Sequence, residues 1–198
     1  ASLAVVASPH LTNEESFVLA NLVNEGLQAA HVLLPVETGE DDGFLVREER
    51  AANARGAREV GIEVRGHGLE ALLDAIESGE VRTVWVLGSD LLAVGDSDRV
   101  LAALAKAETL IVQDSNASGL SELAKVLLPG LTFAEKDGSF TNHAGRVQRI
   151  RRALNPPEGL LNDGELITAL RAQVEGAPAA AFEAAVVLES IGADRPQF

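Results

Sequence analysis

Apolar residues recur along this chain in two rhythms, short unbroken runs and runs spaced at three and four, and their alternation predicts strands separated by helices. Leu3 to Ala7 is an apolar run of strand length, stopped by Ser8-Pro9. Thr12 and Glu15 have capping-box spacing, the hydroxyl toward an early backbone N–H and the carboxylate reaching back. Behind them Leu19, Leu22, Val23 and Leu27 share one helical face, and His31 to Val36 predicts a second strand. Leu69, Leu72, Leu73 and Ile76 repeat at helical spacing up to Gly79. Val81 to Leu87 reads as a buried strand broken by Gly88-Ser89-Asp90. Val100, Leu101 and Leu104 mark a helix capped by Asp96 or Ser97.

Thr109 to Val112 predicts another strand, ended by Gln113 to Asn116. Leu120 and Leu123 begin a helix that yields to a strand at Val126-Leu127-Leu128, closed by Pro129. Leu166, Ile167, Leu170 and Val174 make a later amphipathic helix. Pro178 to Glu189 predicts one more, and Gly192 to Phe198 a tail. Strand and helix alternating at these lengths predict a three-layer α/β fold with a mostly parallel, doubly wound sheet and right-handed crossovers. The expected division is one α/β domain over 1–175, with a helix and tail over 176–198. Two stretches resist the rhythm. Residues 37–66, rich in Gly and mixed charge, predict an extended surface crossing. Residues 134–159 hold two turn signals, Lys136-Asp137-Gly138 and Asn142 to Gly145, around a short extended Ser139-Phe140-Thr141; Arg146 to Arg152 shows no clean alternation.

Composition narrows the chemistry. The chain has no cysteine, which excludes disulfides, thiolate-bound zinc and cysteine-ligated iron–sulfur clusters in this polypeptide. Its net charge of −14 opposes nucleic acid. No apolar run has the length of a membrane span, and ASLAVVASPH lacks a basic n-region, so it reads as a strand rather than a signal peptide. Methionine is absent, which fits a trimmed piece of a longer chain. His10, His31, His67 and His143 lack metal-ligand spacing; there is no Gly-x-Ser-x-Gly elbow and no strand-led Gly-x-Gly-x-x-Gly. Against the acidic whole, Arg146, Arg149, Arg151 and Arg152 form a basic island with no Asp or Glu between Asp137 and Glu158. Guanidinium groups beside Gly and Asn suit phosphates or a partner's carboxylates.

Six stretches in order carry a family resemblance: Ser8 with Thr12-Asn13-Glu14-Glu15; Asn53-Ala54-Arg55-Gly56-Ala57; Val86 to Asp90; Val112-Gln113-Asp114; Ala124 to Pro129; and Glu135 to Gly138 with Phe140-Thr141-Asn142 and Gly145 to Arg149. Together they resemble the molybdopterin oxidoreductase superfamily, most closely the C-terminal α/β part of the large iron–sulfur subunit of NADH–quinone oxidoreductase, respiratory complex I. The resemblance implies a formate dehydrogenase/DMSO reductase-like domain whose strand-end loops surround a pterin dinucleotide in active relatives. The metal ligand, the preceding cluster and the closing β-barrel of such enzymes have no counterpart in these residues.

The expectation is therefore a cofactor-less scaffold segment of a respiratory electron-transfer complex, with no catalytic and no metal residues and no cofactor in this chain. The partners implied are other subunits of a multi-subunit oxidoreductase that carry iron–sulfur clusters and FMN. The location implied is cytoplasmic, peripheral to the inner membrane through those subunits, without direct membrane insertion or nucleic acid. The vestigial pterin-facing or partner-docking candidates are Asp137, Gly138, Thr141, Asn142, Arg146, Gln148 and Arg149. The alternative is a fragment of a formate dehydrogenase-like enzyme whose metal ligand and clusters lie on other chains. Two departures bear on ligand contacts: Ala144 stands before Gly145 where the family is commonly acidic, and Lys125 stands where it has an acid. Both are expected on loops facing a cofactor or neighbour.

Overall fold

Strand β1 (Leu3–Val6) is apolar at every position because it is covered on both sides. In the computed structural model, which describes residues 2–88, 91–196 and 198, it lies second in a five-stranded sheet. The neighbours are β2 (His31–Leu33), β3 (Thr83–Leu87), β4 (Thr109–Asp114) and β5 (Val126–Pro129), in the order β2-β1-β3-β4-β5, every pair parallel. Register is set by alternation. Ala4 and Val6 of β1 join Val84, Val86, Leu110 and Val112 on one face, while Val5, Trp85 and Leu87 look to the other.

The first face is covered by α3 (Gly68–Glu77), α4 (Leu91–Val94), α5 (Ser97–Leu104) and α6 (Gly119–Leu123), through Leu72, Leu73, Ile76, Val100 and Leu104. The second is covered by α1 (Asn13–Asn21), which continues as a π-helical turn over Leu22–Leu27. The α7 helix (Asp163–Glu175) adds Ile167 to this core, and α7 and α8 (Ala184–Asp194) both pack on α1. The result is the expected three-layer α/β architecture. Since the chain leaves β1 toward β2 on one side and returns to β3 on the other, a crevice opens past the C-terminal ends of β1 and β3.

Several expectations change. The second strand stops at Leu33 rather than Val36, ahead of Pro35, which has no N–H for a ladder. Residues 37–66 are not a plain extended crossing, because α2 (Ala54–Glu59) lies within them. No apolar repeat announces α2 because it docks through small residues, Ala54, Gly56 and Ala57. The Arg146 to Arg152 window contains β7 (Val147–Ile150), antiparallel to β6 (Gly138–Thr141). This strand buries neither face, so nothing requires its sequence to alternate. Turn chemistry sets the hairpin instead: Asn142 Oδ1 accepts the N–H groups of Ala144 and Arg146, each at 3.0 Å, and Gly145 sits at φ +81°. The last helix begins later than Pro178 and runs through Gly192 to Asp194, shortening the tail. Ser89 and Asp90 of the break after β3 lie outside the described residues. Among the described residues no helix is long and apolar enough to cross a membrane.

The centre of this arrangement is rigid packing. Leu72→Ala, at a side chain with no exposure, is expected to lower unfolding free energy by ~2–5 kcal/mol. Val126→Thr on the exposed edge strand should shift it by no more than about 0.5 kcal/mol, both read by urea unfolding.

Candidate functional site

The N-terminus of α1 enters the interior, so its polar residues need partners there. Thr12 and Glu15 make the expected capping box: the Glu15 N–H donates to Thr12 Oγ1 at 3.1 Å and the Thr12 N–H to Glu15 Oε2 at 2.9 Å. That same Oε2 also accepts from Lys136 Nζ at 2.9 Å, and Lys136 donates to Asp163 Oδ2 at 2.8 Å. Asp163, in the first turn of α7, accepts from Gln113 Nε2 at 2.7 Å. One ammonium thus ties the start of α1, the entry to β6, the start of α7 and the end of β4, all in the interior.

A second set lies beside it. Glu14 accepts from the Ser139 N–H and hydroxyl, both at 2.8 Å. Asn13 donates to Ser139 Oγ at 3.0 Å and accepts from the Thr141 hydroxyl at 3.2 Å. Asn53, just before α2, accepts from the Thr141 N–H at 2.7 Å and donates to the Leu11 carbonyl at 2.8 Å. Gly56 and Gly138 leave the room this needs. A Cβ on Gly56 would stand 2.0 Å from Asn13 Oδ1, and one on Gly138 2.5 Å from Thr12 Cγ2.

Burial governs the ionisation. Loss of water raises the Glu15 carboxyl to about 6, the Lys136 ammonium pulling it down and the Asp163 carboxylate pushing it up. Glu14 is also raised by burial, against the hydrogen bonds it accepts. Burial alone would lower the Lys136 ammonium, but the two carboxylates outweigh it and hold it above its ordinary value.

Two cavities adjoin these contacts. One of about 360 Å³ opens past the C-terminal ends of β1, β3 and β4, lined by Ser8, His10, Gly88, Gln113, Asp114 and Lys136 among others. Gln113 Oε1 is buried there with no hydrogen-bond partner among the described residues. A larger one of about 760 Å³ lies between the β6–β7 hairpin and α8. No cluster of three or more His, Asp or Glu suited to a metal occurs among the described residues.

The molybdopterin oxidoreductase family model matches residues 43–173. The chain belongs to that family. It is 33% identical to the NADPH-Fe(3+) oxidoreductase subunit alpha of Geobacter sulfurreducens over 67% of this chain and 16% of that protein. It is 34% identical to an NADH-quinone oxidoreductase subunit of Pseudomonas putida over 65% of this chain and 14% of that one. It is 40% identical to the F420-dependent formate dehydrogenase subunit alpha of Methanocaldococcus jannaschii, over 48% of this chain and 14% of that one. The chain therefore spans about one sixth of the length of these relatives or less.

Set against a pterin dinucleotide, the strand-end cavity is poorly matched. Among the described residues lining it, the permanent cation is Lys136, already held by Glu15 and Asp163, while Asp114 and Asp163 add carboxylates. His10 is pushed by burial toward its neutral form. Phosphates would meet these carboxylates and no free guanidinium, so the donor set does not fit that group.

The seven candidates in the 137–149 stretch are not brought together at this cavity. Asp137, Gly138 and Arg149 line the larger one, and Asp137 Oδ1 also accepts the Arg152 N–H at 3.2 Å. Thr141 is buried in the asparagine network, Asn142 forms the hairpin turn, and Arg146 and Gln148 point to solvent. Lys125 is not among the residues lining the strand-end cavity. It lies just before β5, at the opposite end of the sheet, where its ammonium meets the Glu108 carbonyl. Sequence reasoning missed the link of Glu15 to Lys136, Asp163 and Gln113, and that of Glu14 to Ser139. The available signal was adjacent acids on a helix whose first turn has to enter the interior.

Lys136→Met leaves two buried carboxylates without their cation and should cost about 3–5 kcal/mol in urea unfolding. The triple change Glu15→Gln, Lys136→Met, Asp163→Asn should recover much of that loss. The pH dependence has a definite sign. Glu15 is raised on folding from 4.5 to about 6, so folding favours its protonated form. Its contribution is complete below pH 4.5 and is lost as pH rises through about 6. The stability of the natural chain relative to Glu15→Gln should therefore fall across that window; a difference constant with pH would contradict the assignment.

Proposed function

We propose that this chain is a cofactor-less scaffold segment of the large peripheral-arm subunit of a complex I-type NADH–quinone oxidoreductase. The observation that carries this reading is where the family-type residues point. Glu15 pairs with Lys136, while Asn13, Glu14, Asn53 and Thr141 are joined directly or through Ser139, so that these residues hold α1, α2 and β6 together. The absence of cysteine from the chain supports it, as does similarity to a protein named as part of an NADH-quinone oxidoreductase. On this reading electrons travel through cluster- and flavin-bearing partner subunits, and this segment holds its neighbours in place. It would stand on the cytoplasmic side, peripheral to the inner membrane through those subunits.

A second reading draws on the 40% identity to a formate dehydrogenase subunit alpha. There the chain would be a fragment of a molybdopterin enzyme whose metal ligand lies on another chain. Elemental analysis of the isolated polypeptide, together with the cofactors of proteins that co-purify with it, separates the two. The scaffold reading expects no stoichiometric molybdenum or tungsten, and partners bearing iron–sulfur clusters. Stoichiometric molybdenum or tungsten in the isolated chain would overturn it.

A further inference from the structure

Every lysine and arginine outside residues 138–152 has a partner for its side chain: an ion pair, a hydrogen bond or, for Arg195, the face of Phe17. Arg146, Arg149, Arg151 and Arg152 have none among the described residues, although the chain carries thirty acidic side chains against sixteen basic ones. Four exposed guanidinium groups on one short segment have thus been left without an ion-pair partner among the described residues.

The backbone is left open in the same place. Alternate residues of an antiparallel pair turn their N–H and C=O groups inward and outward. The Asn142 N–H donates to the Arg146 carbonyl, so Gln148 and Ile150 address β6 while Val147 and Arg149 address the outside. The two edges of the hairpin are treated differently. On β6 the outward N–H groups of Ser139 and Thr141 are taken by Glu14 and Asn53. On β7 the outward N–H groups of Val147 and Arg149 have no partner among the described residues. Strand alternation then puts Arg149 and Arg151 on one side of this edge, and Arg146 and Arg152 on the other.

We propose that the β7 edge receives an extended acidic segment of a partner protein as a third strand. Its main chain pairs with Val147 and Arg149, and its alternating carboxylates, all on one face of the added strand, meet Arg149 and Arg151. A protein strand fits better than a phosphate polymer because the open edge asks for peptide donors and acceptors, which a nucleic acid lacks. Arginine suits the carboxylates through its bidentate fork. Charge on an edge strand can also serve only to prevent unwanted pairing, and in that role an acidic ligand would be held by charge alone, without the main-chain ladder.

The inference deepens the scaffold reading by naming the chemistry of a partner, and the two can fail separately. A chain that co-purifies with cluster-bearing subunits yet ignores an acidic strand keeps the scaffold and loses this proposal. The probe is a fluorescein-labelled peptide of alternating glutamate and threonine, titrated by anisotropy at about 0.05 M and about 0.5 M salt. Binding at low salt, weakened at high salt, is expected. Arg149→Ala/Arg151→Ala should weaken it roughly tenfold with unchanged thermal unfolding. A peptide N-methylated at alternate backbone nitrogens should bind at least about tenfold more weakly, having lost its ladder donors. The proposal is overturned by no binding, by equal binding of the N-methylated peptide, or by equal binding of an oligothymidylate of similar charge. Arginine-dependent dimerisation in analytical ultracentrifugation would likewise overturn it, assigning the edge to a second copy of the chain.

Discussion

A single ammonium among buried carboxylates is the constraint on which the interior of this molecule turns. Burying an ion costs several kcal/mol unless geometry and hydrogen bonds compensate it. Lys136 meets two carboxylates at 2.9 and 2.8 Å, and each carboxylate has a further donor, the Thr12 N–H for Glu15 and the Gln113 amide for Asp163. Such a cluster adds little net stability over an apolar core of the same shape. What it adds is discrimination. Any arrangement in which α7 or the entry to β6 is displaced leaves a charge stranded, and apolar packing alone punishes displacement less sharply.

This places the residues that mark the family in a different light. In a long enzyme the strand-end loops of a doubly wound sheet are where a ligand is met. Here the matching residues mostly face one another, with Asn13 and Asn53 brought close by the bare backbone of Gly56. The stretches that carry the resemblance are thus, in this chain, a record of how the helix start, the hairpin and α2 are assembled. Fold and family follow from it directly; chemistry does not.

Apolar rhythm made the sheet and its covering helices legible, because a strand buried on both faces has to be apolar throughout and a covering helix has to repeat at three and four. The Leu72, Leu73 and Ile76 face and the Val81 to Leu87 run are plain examples. Elements not held by apolar side chains were hidden. The α2 helix docks through glycine and alanine, and β7 buries neither face, so neither leaves a periodic trace. The site was legible only as local grammar: Thr12 and Glu15 read as a cap, Asp137 as a turn former. Their role across the molecule depends on Lys136 and Asp163, far along the chain, and no local rule pairs residues at that distance.

That distance also has a consequence for how the chain comes to be folded. The contacts between α1 and the hairpin join residues separated by 121 to 128 positions. During synthesis from the amino end, Asn13, Glu14 and Glu15 emerge long before anything that can receive them. Closing so large a loop is entropically slow, and high contact order delays folding. The polar start of the first helix therefore lacks its partners while β2 to β5 emerge behind it. Its final docking belongs among the last events, once the hairpin and the start of α7 have left the ribosome.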